Sequence, residues 1–265
     1  MATTEQEMVV RAGRPETAAA EARMKPARVL TALAEELDVR VEGSKVDVPA
    51  ETEEAARAWI DDYRAKLTGQ TENYLDRQAD YYAELASRQV DTIGEPTHVG
   101  YVYWDLLTIS PIQFISLPPY QPSKIIASNE LALLQAVLFI NPATNIFNPI
   151  SATTILGGRD FRVRFEQVNL TDVTDGPNFT FVGTFPATAP SLTFFSIFII
   201  APDPGQDPRL VELNATADIV DIAQPFAAFA TNHLDIDSDP GFLNIPPQPP
   251  QFQHEIPLRY LIYRK

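Results

Sequence analysis

The chain has 265 residues, 45% of them apolar, a formal net charge of −15 and no cysteine. That length and apolar content are enough to fill a real core, while the acidic balance excludes a protein that tracks a phosphate backbone, whose affinity comes from Lys and Arg displacing counterions. Without cysteine there are no disulfides, thiolate nucleophiles or Cys-based metal centres, although disulfide-free proteins occur in every compartment.

The opening stretch, "MATTEQEMVVRAGRPETAAAEARMK", places acids within its first ten residues and contains no apolar run of seven. It does not read as a Sec signal. The expectation is synthesis in the cytoplasm, with particle assembly or export by another route. Ala-rich spacing with Val29, Leu30, Leu33 and Leu37 on one face predicts a helix over Pro15 to Leu37. "VRVEGSKVDVP" then alternates Val39, Val41, Val46 and Val48 around Gly43-Ser44, which predicts a two-strand hairpin. From Pro49 a second helix is predicted, with acids in its first turns, where they complement the dipole. Gly69 is expected to interrupt it. A third helix follows over "TENYLDRQADYYAELASRQV", with Tyr74, Leu75, Gln78, Tyr82 and Leu85 on one stripe.

Trp59, Ile60, Tyr63, Leu67, Tyr74, Tyr81 and Leu85 together form an apolar seam at approximate heptad spacing. Two readings of it stand. It pairs with another helix, within or between subunits, or it packs on the chain's own β region.

Composition changes near "DTIGEPTH". Residues 1–95 hold 12 of the 20 Lys and Arg, 20 of the 35 Asp and Glu, and only 3 of the 23 prolines. This predicts two regimes, a charged and mostly helical region with a short hairpin over 1–95 and a Pro-rich β domain over 96–265, joined at Gly94 and Pro96.

In the second regime strands are predicted over Val99 to Leu107, Gln113 to Leu117, Ser123 to Ser128, Leu131 to Ile140, Phe161 to Val168, Asn178 to Thr184, Ser191 to Ile200, Leu210 to Ile219, Ala227 to Asn232 and Leu258 to Arg264. Turn clusters such as "PPYQP", "TDGPN" and "APDPGQDP" separate them. The expected fold is mainly β with an N-terminal helical segment, an antiparallel sandwich of jelly-roll or elaborated immunoglobulin-like form. Around "TDGPN" the alternation of Phe161, Val163 and Phe165 with Arg162, Arg164 and Glu166 predicts a hairpin with one wet face. "LTFFSIFII", by contrast, is apolar on both faces, and Phe194, Phe195 and Phe198 must therefore be covered twice.

Catalytic motifs are missing. There is no G-x-S-x-G, P-loop, dinucleotide glycine pattern or H-E-x-x-H, and His98, His233 and His254 are the only histidines. Paired carboxylates drawn from different strands leave no local signature, so an enzyme with dispersed carboxylates stands as a third reading. The three N-x-T sites, at Asn169, Asn178 and Asn214, read as turn and strand-end residues.

"TNHLDIDSDPGFL" sets His233, Asp235, Asp237 and Asp239 at alternate positions. An EF-type loop starting at Asp235 requires a turn with positive φ at its sixth position and an acid at its twelfth, but Pro240 and Pro246 stand there. A looser calcium site remains, in which an extended segment brings the four side chains to one face. Its plain rival is a solvated strand exit made of ordinary turn residues. The cofactor expectation is therefore none, or calcium.

Because a monomer exposing strands apolar on both faces would associate, the leading expectation is a structural subunit without catalytic activity. It would form a homo-oligomer or larger particle of shell, tail, sheath or filament type, clasped by helical and Pro-rich arms. The first alternative is a calcium-assisted adhesion or carbohydrate-binding module with a cell-surface ligand. Neither nucleic acid nor a transmembrane helix is expected.

Overall fold

A computed structural model describes residues 28–29, 37, 39–42, 46–87, 103–144, 149–220, 227–233 and 257–265. Its strands are β1 (Arg28–Val29), β2 (Arg40–Glu42), β3 (Trp104–Gln113), β4 (Ile125–Ala127), β5 (Leu131–Ile140), β6 (Asp160–Asn169), β7 (Thr174–Asp175), β8 (Phe179–Thr184), β9 (Leu192–Ile200), β10 (Arg209–Ile219), β11 (Ala227–His233) and β12 (Leu258–Tyr263). The helices are α1 (Ala50–Ser87) and α2 (Ala152–Leu156).

The fold is mostly β and sandwich-like, with the strand path β1-β9-β5-β3-β11-β10-β6-β8-β2 folded back on itself. β1, β9, β5 and β3 make the first sheet; β10, β6, β8 and β2 make the second, with β12 beside β10, β4 beside β12 and β7 beside β6. β11 serves both: Ala227–Phe229 pair with β10, and Ala230–His233 pair with β3. This strand closes one side of the sandwich. On the other side the outermost long strands are β9 and β8, flanked by the short β1 and β2. Most pairings are antiparallel, as expected, but β11 with β3 and β12 with β4 are parallel, so both sheets are mixed.

Alternation explains the core between the sheets. From the first sheet Leu106, Leu134, Leu138, Phe195 and Ile197 point inward; from the second Phe161, Phe165, Phe181, Leu213 and Tyr260 meet them. Aromatic rings bridge the gap, Phe195 lying edge-on to Phe181 at 5.3 Å and to Phe161 at 5.9 Å between centroids. Such pairs contribute about 0.5–1.5 kcal/mol beyond the area they bury.

Several expectations are corrected. Strand β1 lies within the stretch expected as a helix over Pro15 to Leu37 and pairs with β9. Among the described residues of Val39 to Val48 the expected hairpin pairing is not found: β2 pairs with β8, and Val46 and Val48 are buried outside any strand. The apolar alternation was real, but it answers to the open edge of the sandwich and not to a local turn. Gly69 does not break the helix, because α1 runs through it for 38 residues. A mid-helix glycine costs about 1 kcal/mol, and the buried Leu67 and Tyr74 on either side outweigh that. β3 runs on to Gln113 despite Pro111, which sits where the register with β5 shifts between Ile109 and Ile112. A bulge is where a strand tolerates proline. Gln113 to Leu117 is consequently not a separate strand, and its end lies in an exposed loop. The proline-rich "NIPPQPPQF" lies outside the described residues.

Candidate functional site

The outer face of the first sheet is covered by α1. Ala56, Ile60, Tyr63, Leu67 and Tyr74 recur at helical spacing and bury against Leu107, Ile109, Leu133, Val137, Phe139, Phe194 and Phe198. Tyr63 meets Phe194 edge-on at 6.3 Å, Tyr74 meets Phe139 edge-on at 5.9 Å, and the Arg64 guanidinium lies 5.0 Å from the Phe194 ring centre. Trp59 stacks on Tyr63 at 5.1 Å and donates its indole N–H to the carbonyl of Tyr120 at 3.1 Å. Further along, Gln78 donates to the Tyr74 hydroxyl at 3.0 Å. Each fully buried large side chain contributes about 1.5–3 kcal/mol relative to exposure.

The described members of the predicted seam pack on the chain's own β region. Trp59, Ile60, Tyr63, Leu67 and Tyr74 all face the sheet. Tyr81 and Leu85 belong to α1, but their side chains lie outside the described residues. The double cover demanded by "LTFFSIFII" is also met within the chain, since Phe194 and Phe198 lie under the helix while Phe195 faces the second sheet. Thr71 and Gln78 are buried polar members of the same helix face. Reading apolar positions alone passes over Thr71.

The second sheet has a different outer face. Arg162 and Asp218 stand opposite each other on β6 and β10 and form a two-pronged pair at 3.2 and 2.6 Å. The hydrogen bond to Asp218 raises the Arg162 pKa, against the opposing effect of burial. Arg259 on β12 pairs with Glu212 on β10 at 3.1 Å. Beneath this face the Tyr260 hydroxyl donates to Gln167 Oε1 at 2.6 Å, and burial pushes its pKa well above the usual tyrosine range.

At one corner this polar face gives way to an apolar row. Leu210 on β10 is the ladder partner of Leu261 on β12, which in turn is the partner of Ile125 on β4. Leu210 is 37% exposed and Ile125 59%, and Tyr263, the next outward residue after Leu261, is 38% exposed. Leu210 is the apolar member of an outward series that continues as Glu212, Asn214, Thr216 and Asp218. That irregularity is visible in the sequence. The alignment of three distant strands into one row is not.

A second apolar projection is the loop after β3, where Leu117 is 88% and Ile115 45% exposed. Its base is held by Phe114, which packs against Tyr120 at 4.8 Å and Phe198 at 6.2 Å.

Of the acidic ladder, His233 is the last residue of β11, beside Ile109; Asp235, Asp237 and Asp239 lie outside the described residues, as do His98 and His254. Among the described residues no group of three or more His, Cys, Asp or Glu is placed to hold a metal ion. No described helix is long and apolar enough to cross a membrane. The three N-x-T asparagines are engaged locally: Asn169 donates to Asp172 and Thr174, Asn178 accepts from the Gln167 N–H, and Asn214 donates to Glu212.

No family model matches the chain, and no curated protein matches it. Among solved structures, the Reelin-N domain of F-spondin aligns at 14% identity over 51% of this chain and 83% of that one, with a TM-score of 0.21. A family 123 glycoside hydrolase from Clostridium perfringens aligns at 9% identity over 50% of this chain and 28% of that one, with a TM-score of 0.18. Similarities this slight carry no argument about function.

Proposed function

We propose that the protein is a structural subunit without catalytic activity, a β-sandwich body that assembles with further copies of itself. The observation that supports this reading is the row Leu210, Leu261, Ile125 and Tyr263 on the outer face of the second sheet. Three strands far apart in sequence align apolar side chains at one corner of a face that carries the Arg162–Asp218 and Arg259–Glu212 ion pairs. A cluster of large apolar side chains rimmed by charges of both signs is the usual core of a protein contact. Arg259, Glu212, Lys265 and Glu130 supply that rim, and charges of both signs let one surface meet a copy of itself across a two-fold axis.

The test is the native mass of the full-length protein by size-exclusion chromatography with light scattering, in calcium and in EDTA. A defined multiple of 29.4 kDa is expected in both buffers. Ile125→Lys combined with Leu210→Lys should lower the mass without moving the thermal midpoint. A monodisperse monomer at high concentration would refute the reading, and a mass that changes with EDTA would move the contact to the acidic ladder.

A further inference from the structure

β5 and β9 lie side by side in the first sheet, but no hairpin turn aligns them. The chain between them runs through α2, β6, β7 and β8, so their register cannot come from a short loop, as it does in a hairpin. Both strands are also apolar at successive positions. Sliding β9 along β5 by two residues would return every side chain to its own face and would still set apolar groups against apolar groups almost everywhere.

Two polar residues break that uniformity. Gln135 is the one polar residue of β5, and Ser196 is one of two in β9; the other, Thr193, stands opposite Leu138 on the face toward the second sheet. Gln135 alternates with Leu133 and Val137, and Ser196 with Phe194 and Phe198, so both lie in the apolar layer beneath α1. They are 1% and 3% exposed. They are also ladder partners, and Gln135 Nε2 donates to Ser196 Oγ at 3.1 Å. Gln135 Oε1 has no partner among the described residues, and the bond to Ser196 is the contact that the amide keeps.

We infer that the Gln135–Ser196 pair is a register lock, which selects one alignment of two strands that would otherwise slide. After a slide of two residues in either direction, Gln135 faces Phe194 or Phe198 and Ser196 faces Leu133 or Val137. A buried amide is then stripped of its partner, and the full cost of its desolvation falls on the slipped form. A single buried polar residue fixes register in the same way in coiled coils. The lock acts on which structure forms more than on how stable it is, since replacing both partners with apolar groups is close to neutral for stability, whereas repacked apolar cores lose uniqueness first. Both layers around the sheet depend on it. Tyr63 meets Phe194 and Phe181 meets Phe195 only while β9 keeps its alignment.

Because the chain contains no cysteine, introduced thiols report the register directly. Leu131→Cys with Ile200→Cys marks the native ladder, in which those residues are partners. Leu133→Cys with Ile200→Cys, and Val137→Cys with Leu192→Cys, mark the two slides; in the native register these are diagonal neighbours about 7–8 Å apart, beyond the usual reach of a disulfide. Each pair is placed in the full-length parent and in the Gln135→Leu, Ser196→Ala background, refolded in a thiol–disulfide buffer, and scored by mass spectrometry. The parent should close the native pair alone, and the apolar background should close a slipped pair as well. Ser196→Ala by itself should lower the urea midpoint, and adding Gln135→Leu should restore it. The exchanged variant, Gln135→Ser with Ser196→Gln, keeps a polar pair at the same rung and should again close the native pair alone. An apolar background that closes only the native pair, or that fails to fold, overturns the lock and assigns the register to packing. An exchanged variant that closes a slipped pair overturns it too.

Discussion

The first sheet carries Leu107, Leu133, Val137, Phe139, Phe194 and Phe198 on its outer face, all beneath α1, whereas the second carries Arg162, Glu212, Thr216 and Asp218 in contact with water. The difference lies in the strands. β5 and β9 are apolar at successive positions, so each needs a partner on both sides, and the helix is that partner for the outer side. β6 and β10 alternate, with burial at every second residue along most of their length, and need only the opposing sheet. A strand's pattern thus states how many layers must cover it, and the chain supplies a third layer only where the pattern demands one.

The largest effect should come from uncovering the helix-covered face. Phe198→Ala removes a fully buried ring that touches the helix-facing cluster and the base of the Phe114 loop. The expected loss is about 3–5 kcal/mol, read as a fall in the urea midpoint at constant slope. Tyr74→Ala should cost a similar amount, because it removes the ring packed on Phe139 and the partner of Gln78. A loss under about 1 kcal/mol for both would mean that α1 is not firmly seated on the sheet.

Next is the buried hydroxyl beneath the second sheet. Removing it in Tyr260→Phe leaves Gln167 Oε1 without this donor, a loss of about 1–2 kcal/mol at neutral pH. Its pH signature is distinct. The folded-state pKa is raised above the ordinary tyrosine value by burial, so this residue's contribution is unchanged below about pH 10. Above that, the unfolded chain releases the proton while the folded chain keeps it, and stability falls by about 1.4 kcal/mol per pH unit. Denaturation midpoints between pH 9 and 11 should therefore fall less steeply in Tyr260→Phe than in the parent, and parallel slopes would refute the assignment.

Much of this architecture is legible in the sequence. The sequence reading of Leu131 to Ile140 matches β5 to the residue, and those of β6, β8, β9, β10 and β12 match to within a position or two, because continuous apolar runs in β5 and β9, period-two alternation in β6 and β10, and Pro- or Asp-rich turns are all local signals. The need for two covers on "LTFFSIFII" was legible as well. Which element would supply the outer cover was not, because an apolar helical seam looks the same whether its partner is a sheet in the same chain or a helix in another. The segment around β1 and β2 was misread for a related reason: its short strands are set by the open edges of β9 and β8, far away in sequence. The apolar row was invisible for the same cause, since Leu210, Leu261 and Ile125 meet only through the register of three strands.

The smallest expected effects lie on the bare face, and they separate stability from association. Arg162 and Asp218 are each about a quarter to a third exposed, so their pair is screened by water, and Asp218→Asn should cost only about 0.5–1 kcal/mol, less at high salt. Ile125→Ser should cost less still, within about 0.5 kcal/mol, because the side chain is already mostly in water. Under the proposed assembly, what Ile125 contributes lies in the contact between copies and not in the folded monomer. Measured side by side, Phe198→Ala should lower the denaturation midpoint, and Ile125→Ser should leave that midpoint alone while weakening self-association in a concentration series followed by light scattering. If Ile125→Ser changed neither quantity, the apolar row would be ordinary surface.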